Sequence, residues 1–188
     1  IGDPDRLRAV AEDFIKHYET RVAEGATVAG KAMFVCSNRN IAYDFYKIVK
    51  ELRPEWTEKK ICDDGVVLSE KDKKELKPME KIKLVMTRNK DDEKDLFDML
   101  GTKEDRKEFD RQFKNPKSNF KIAIVVDMWL TGFDVPELDT IYIDKPIQQH
   151  TLIQTISRVN RVCEGKDKGL IVDYIGIKKN MNTALKKY

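Results

Sequence analysis

Short, nearly unbroken apolar runs alternate along this chain with stretches in which apolar residues recur every third or fourth position. Five runs stand out: Ala32-Met33-Phe34-Val35-Cys36, Ile82-Lys83-Leu84-Val85-Met86, Ile122-Ala123-Ile124-Val125-Val126, Thr140-Ile141-Tyr142-Ile143 and Gly169-Leu170-Ile171-Val172-Asp173-Tyr174. Runs of that length without polar alternation fit strands covered on both faces. Between them lie amphipathic helices. Leu7, Val10, Ala11, Phe14, Ile15 and Tyr18 keep helical spacing behind a candidate N-cap at Asp3 and a first-turn proline at Pro4. A second stripe of Ile41, Ala42, Phe45, Ile48, Val49 and Leu52 starts after Ser37-Asn38 and stops at Pro54. Further helices are predicted over 93–100 and 103–113, separated by Gly101, then over 149–161, with a last amphipathic helix over 177–188. The segment 55–80 is charge-rich, and within it Gly65-Val66-Val67-Leu68 reads as a small edge strand. Acids and bases alternate over 70–77, which suits a solvated helix face or loop better than a nucleic-acid patch. Apolar strands alternating with helices predict an α/β fold of three αβα layers around a mostly parallel sheet.

Composition narrows the picture mainly by exclusion. With 188 residues and 40% hydrophobic content the chain suits one globular domain. Its 36 basic residues nearly cancel 33 acidic ones, for a net charge of +3, so any basic stripe must be local. Cys36, Cys62 and Cys163 form neither a CxxC pair nor a disulfide framework, and His17 and His150 stand apart, so no metal site is expected. No apolar run approaches the roughly 20 residues of a membrane span, and the start is not a signal peptide. A reduced, cytoplasmic protein is expected, cut from a longer chain because it does not begin with methionine.

In a parallel α/β sheet, ligands sit beyond the carboxyl ends of the strands. The first strand is followed by Ser37, Asn38 and Arg39, the second by Thr87 and Arg88, and the third by a loop from Asp127 to Pro136 that includes Met128 and Thr131. Hydroxyls, arginines and helix N-terminal amides are the usual donors to phosphate oxygens, so these loops suit a groove that tracks a nucleic-acid backbone. Ordinary capping is the alternative for Ser37 and Thr87. Arg158 and Arg161 are three residues apart, hence one turn apart on nearly the same helix face. Phosphoryl transfer calls for such guanidinium groups; a solvated helix face is the alternative.

Together these residues resemble known motifs. Gln154-x-x-x-Arg158-x-x-Arg161 resembles motif VI of superfamily 2 helicases, the loop from Asp127 with Gly132-x-Asp134 resembles motif V, and the Ser37-Asn38-Arg39 turn resembles motif IV. The segments from Thr131 to Pro136, Tyr142-Ile143-Asp144-Lys145-Pro146, Leu152 to Arg161 and Gly169 to Gly176 are similar to the motor (R) subunit of type I restriction-modification enzymes. That resemblance covers nearly the whole chain. It implies a RecA-like (P-loop NTPase-like) C-terminal helicase lobe over 31–176, with a packing helix and lead-in over 1–30 and a helix over 177–188 leading to a following domain. The lobe would belong to a double-stranded DNA translocase within an endonuclease. By the resemblance, Arg158 and Arg161 would be arginine fingers, Arg161 foremost. Gly132, Asp134 and Gln154 would serve the nucleotide, and Ser37, Arg39, Thr87, Arg88, Met128 and Thr131 the DNA backbone. ATP and Mg²⁺ would be bound mainly by an N-terminal RecA-like lobe of the same subunit. Nuclease domain, modification and specificity subunits complete the implied partners. One departure is visible: many relatives carry a phosphate-holding Thr before the motif V Asp, and here Val126 precedes Asp127. Lys145 fits the restriction pattern without an assigned role.

No GxxxxGK[ST] loop occurs, because Gly30-Lys31 lacks both the preceding glycine and the following hydroxyl, and no Asp-Glu pair follows a strand. The chain alone is therefore expected neither to hydrolyse ATP nor to cleave DNA. Asp63-Asp64 and Asp91-Asp92 read as caps or turns. Two other classes remain open on sequence: another superfamily 2 DNA helicase or repair translocase, and a non-enzymatic nucleic-acid-binding module.

Overall fold

The computed structural model describes residues 2–129, 134–161, 163–166 and 169–176. Five strands, β1 (Ala32–Cys36), β2 (Ile82–Leu84), β3 (Ile122–Val125), β4 (Thr140–Asp144) and β5 (Leu170–Asp173), form one sheet in the order β2-β3-β1-β4-β5. Every pairing is parallel. β1 lies at the centre, with Ala32 opposite Ile122 on one side and Thr140 on the other.

Among the described residues there are six α-helices: α1 (Pro4–Ala23), α2 (Arg39–Leu52), α3 (Glu70–Glu75), α4 (Lys94–Leu100), α5 (Lys103–Lys114) and α6 (Gln149–Val159). Asp3 caps α1 by accepting from the Asp5 amide, and Pro4 occupies its first turn, as the sequence predicts. Successive strand residues point to opposite faces, so each strand serves two cores. On one face Phe34, Tyr142, Ile82 and Ile124 meet Leu7, Phe14 and Tyr18 of α1 and Phe45 and Val49 of α2. Phe14 is the hub there, edge-on to Phe34 at 5.1 Å and to Tyr142 at 4.7 Å. On the other face Met33, Val35, Ala123, Val125, Ile141 and Ile143 meet Phe113 of α5 and Leu152 and Val159 of α6.

Two expectations need correction. The segment 65–68 forms no strand: Gly65 takes φ +80°, Val67 is 86% exposed, and β2 remains the edge strand. The Val66 amide donates to the Asp63 carbonyl at 3.3 Å, a turn contact and not a ladder bond. The helix expected over 149–161 stops at Val159, which moves Arg161 off it. The run 70–77 does contain a solvated helix, since α3 buries none of its residues. Residues 177–188 lie outside the described residues.

Candidate nucleotide and nucleic-acid interface

At the carboxyl end of β1 the two polar residues divide their work. Asn38 caps α2 through the Ile41 amide at 3.0 Å, while the Ser37 hydroxyl donates to the Asp144 carbonyl at 3.0 Å. Arg39, opening α2, donates to both carboxylate oxygens of Asp92 at 2.8 and 2.7 Å and to the Thr87 carbonyl at 2.5 Å. Burial works against ionisation of Asp92, but the Asn89 amide and the Arg39 guanidinium outweigh it and hold the carboxyl below its usual range. The loops after β1 and β2 thus meet at one rim through Arg39. Thr87 is exposed there. Arg88 instead lays its guanidinium over the Phe97 ring at 3.8 Å, with a buried Nε that has no hydrogen-bond partner. Met128 packs half-buried against the second core. Next to it Trp129 adopts φ 65° and stacks on Phe113 at 5.3 Å. Thr131 and Gly132 lie outside the described residues.

The rim continues at β4. Asp144 has no exposed surface, and Arg6 of α1 donates to its two oxygens at 2.6 and 3.1 Å and to the Tyr174 carbonyl at 3.0 Å. The next residue, Lys145, reaches to the end of β3, where its ammonium donates to the Val126 carbonyl at 3.0 Å and to Asp127 at 2.6 Å.

A second cluster forms on the segments that lead into the amino ends of β4 and β5. Past the end of α6, Arg161 pairs with Asp134 at 3.0 Å, both half-exposed. Lys166 fixes this junction by donating to the carbonyls of Pro136 at 3.3 Å, Leu138 at 3.0 Å and Arg161 at 2.9 Å. Burial, which disfavours the charged ammonium, lowers the Lys166 pKa. Arg158 stays on the last turn of α6, half-buried, and its Nε is buried without a hydrogen-bond partner. Gln154, also half-buried, sits one turn earlier on the same side of the helix. Asp134 and Arg161, distant in sequence, are therefore in contact. They meet by the chain turning back after Asn160, not by shared helix geometry.

Arg6 and Lys166 escaped the sequence reading, Asp144 was quoted there without a role, and Asp92, expected in a cap or turn, accepts from the Asn89 amide at 2.7 Å and pairs with Arg39 besides. An acid ending an otherwise apolar strand was a usable signal for Asp144. Lys166 gave none, because its partners are backbone oxygens brought in by folding. Elsewhere a concavity of about 750 Å³ lies between α3 and α5, lined by Lys71, Lys74, Lys77, Arg111, Lys114 and Lys117 together with Asp72, Glu75 and Glu108. Each of those acids already faces a base, as in the Asp72–Lys117 contact at 2.6 Å. Among the described residues no cluster of three or more His, Cys, Asp or Glu side chains could hold a metal ion, and no helix is long and apolar enough to cross a membrane.

An all-parallel αβα sheet with polar loops at its carboxyl rim is the fold of a RecA-like lobe. Solved structures with the same fold include a fragment of an HsdR subunit of a type I restriction enzyme from Vibrio vulnificus, with TM-score 0.62 and 15% identity over 100% of this chain and 32% of that one. Mss116p bound to single-stranded RNA and AMP-PNP also matches, with TM-score 0.52 and 16% identity over 92% of this chain and 25% of that one. The family model described as type I restriction enzyme subunit R domain 3 matches residues 28–176. The chain belongs to this family of type I restriction enzyme R subunits. It is 38% identical, over its whole length, to the HindI endonuclease subunit of Haemophilus influenzae, and 40% identical over 98% of its length to a type I endonuclease subunit of Methanocaldococcus jannaschii. It spans only 16% and 15% of those relatives.

Proposed function

We propose that this lobe is the second half of an ATP-driven motor that moves along double-stranded DNA within a type I restriction endonuclease. The Asp134–Arg161 contact clamped by Lys166 carries the reading, because it joins the motif V and motif VI segments into one surface. Arg161 leaves its exposed carboxylate partner for the ATP γ-phosphate, and the unpartnered Nε of Arg158 suits an anion beside it. Charge developing on a transferred phosphoryl group is what such guanidinium groups stabilise. Asp134, with Gly132 before it, serves the ribose edge, and Gln154 couples the nucleotide to the cleft between lobes. ATP and Mg²⁺ are held mainly by an N-terminal RecA-like lobe of the same subunit, which supplies the phosphate loop absent from this sequence.

The carboxyl rim carries the DNA. Ser37, Arg39 and Thr87 stand there with Arg88 and Met128, Thr131 is assigned to the same path on sequence alone, and the Arg39–Asp92 pair sets the spacing of two rim loops. Recognition of a DNA sequence is left to the specificity subunit, methylation to the modification subunit and cleavage to the nuclease domain, with the whole complex in the cytoplasm. Joined to the phosphate-binding lobe, the protein should show DNA-stimulated ATP hydrolysis, and Arg161→Ala should lower kcat roughly a thousandfold. The lobe alone should turn over no ATP. Turnover by the lobe alone, abolished by Arg161→Ala, would refute the half-motor.

A further inference from the structure

Val126, which follows β3 and precedes Asp127, has no side-chain donor to offer a phosphate at the rim. A different donor occupies the place. Lys145 follows β4, and β1 separates β4 from β3. Cys36 of β1 lies opposite Asp144, and Val35 opposite Val125, so the Lys145 side chain passes across the end of β1 to reach the Val126 carbonyl. Its ammonium therefore sits mid-rim, between the Ser37 turn and the loop after β3.

We propose that Lys145 is a binding residue for a nucleic-acid backbone phosphate, and that Asp127 occupies the ammonium until the phosphate arrives. This rests on the rim being the DNA path. An ammonium has three donors, and two are used here, one on Val126 and one on Asp127. The two partners differ in permanence. The Val126 carbonyl is fixed at a strand end, whereas the Asp127 side chain is 86% exposed against 20% for Lys145. An ion pair with so exposed a carboxylate contributes little, so it yields readily to a phosphate that gains a charge-assisted hydrogen bond. Val126 holds the ammonium in place while its second partner changes.

The two side chains of one ion pair should then act in opposite directions, which no purely structural strap would do. In the motor subunit with both lobes, duplex DNA affinity is measured across a salt series. Lys145→Gln should weaken binding and reduce the slope of log K against log salt by about 0.9, the loss of one phosphate contact. Asp127→Asn should strengthen binding severalfold, up to about fivefold. Lys145→Arg should keep the slope. Thermal melts identify any variant that fails to fold; if Lys145→Gln is one, Asp127→Asn and Lys145→Arg carry the test. An unchanged slope in Lys145→Gln, or weaker binding in Asp127→Asn, overturns the assignment. Absence of duplex binding by the unsubstituted motor would instead remove the rim as a DNA path, a different failure.

Discussion

Asp144 is a carboxylate without exposed surface, and Arg6 of α1 is the guanidinium that neutralises it. Removing one partner of such a pair leaves the other buried and uncompensated, which costs far more than the pair itself contributes. Arg6→Ala should therefore lower stability by roughly 3 kcal/mol, read as a shift of the urea midpoint, and adding Asp144→Asn should restore part of it. The same loss would remove the Arg6 bond to the Tyr174 carbonyl, leaving α1 tied to Tyr174 through the tyrosine hydroxyl, which donates to Asp13 at 2.7 Å. Residue chemistry was unevenly legible in the sequence. Arg158, Arg161 and Asp134 could be singled out because spacing and motif order mark them. Arg6 and Asp144 stand 138 positions apart, and a pairing between distant positions leaves no periodic trace. Lys145 was noticed without a role because its meaning depends on which strand lies next to β4.

Most elements were legible, and β1 has the bounds its apolar run predicts. β2 and β3 end earlier than their apolar runs, although Val85 stays buried and its amide still donates to the Ile124 carbonyl at 2.9 Å. Periodicity reports which face of an element is buried; it does not report where the chain leaves it. The end of α6 shows why. A Cβ on Gly169 would collide with the backbone carbonyl of Val159, so the entry to β5 lies directly against the last helical turn. Only glycine permits that approach. Gly169→Ala should push α6 from β5 at an overpacking cost of about 1–3 kcal/mol, seen in equilibrium unfolding. Because Arg158 and Arg161 flank Val159, DNA-stimulated ATPase of the two-lobe motor should fall as well.

Across the whole molecule the acid limb of stability should descend in two stages. His17 on α1 contacts the Tyr142 hydroxyl at 2.7 Å, and burial, then the charge of Arg21, lowers its pKa against the opposing pull of Asp13. A histidine depressed in the fold binds its proton more readily when unfolded, so stability declines as pH falls below about 6.5. The carboxylates are depressed too: Asp72 lies at about 2, through the Lys117 ammonium and then the Ser69 amide, and Asp92 is lowered by the contacts described above. They contribute above roughly pH 4 and lose that contribution as pH falls through their folded values. Melting temperature followed from pH 8 to pH 3 should show both stages, and His17→Gln should flatten the upper one alone. Sheet order, unlike sheet class, was not legible, because apolar runs identify strands without naming their neighbours. That order has a cost during synthesis. Ala32 opens the central strand, and its two partners, Ile122 and Thr140, lie 90 (122 − 32) and 108 (140 − 32) residues later. A ribosome adding about 5–20 residues per second leaves β1 without either partner for roughly 5–20 s. Pairing over such distances is slow, so this apolar segment is where a nascent chain most needs shielding from its neighbours.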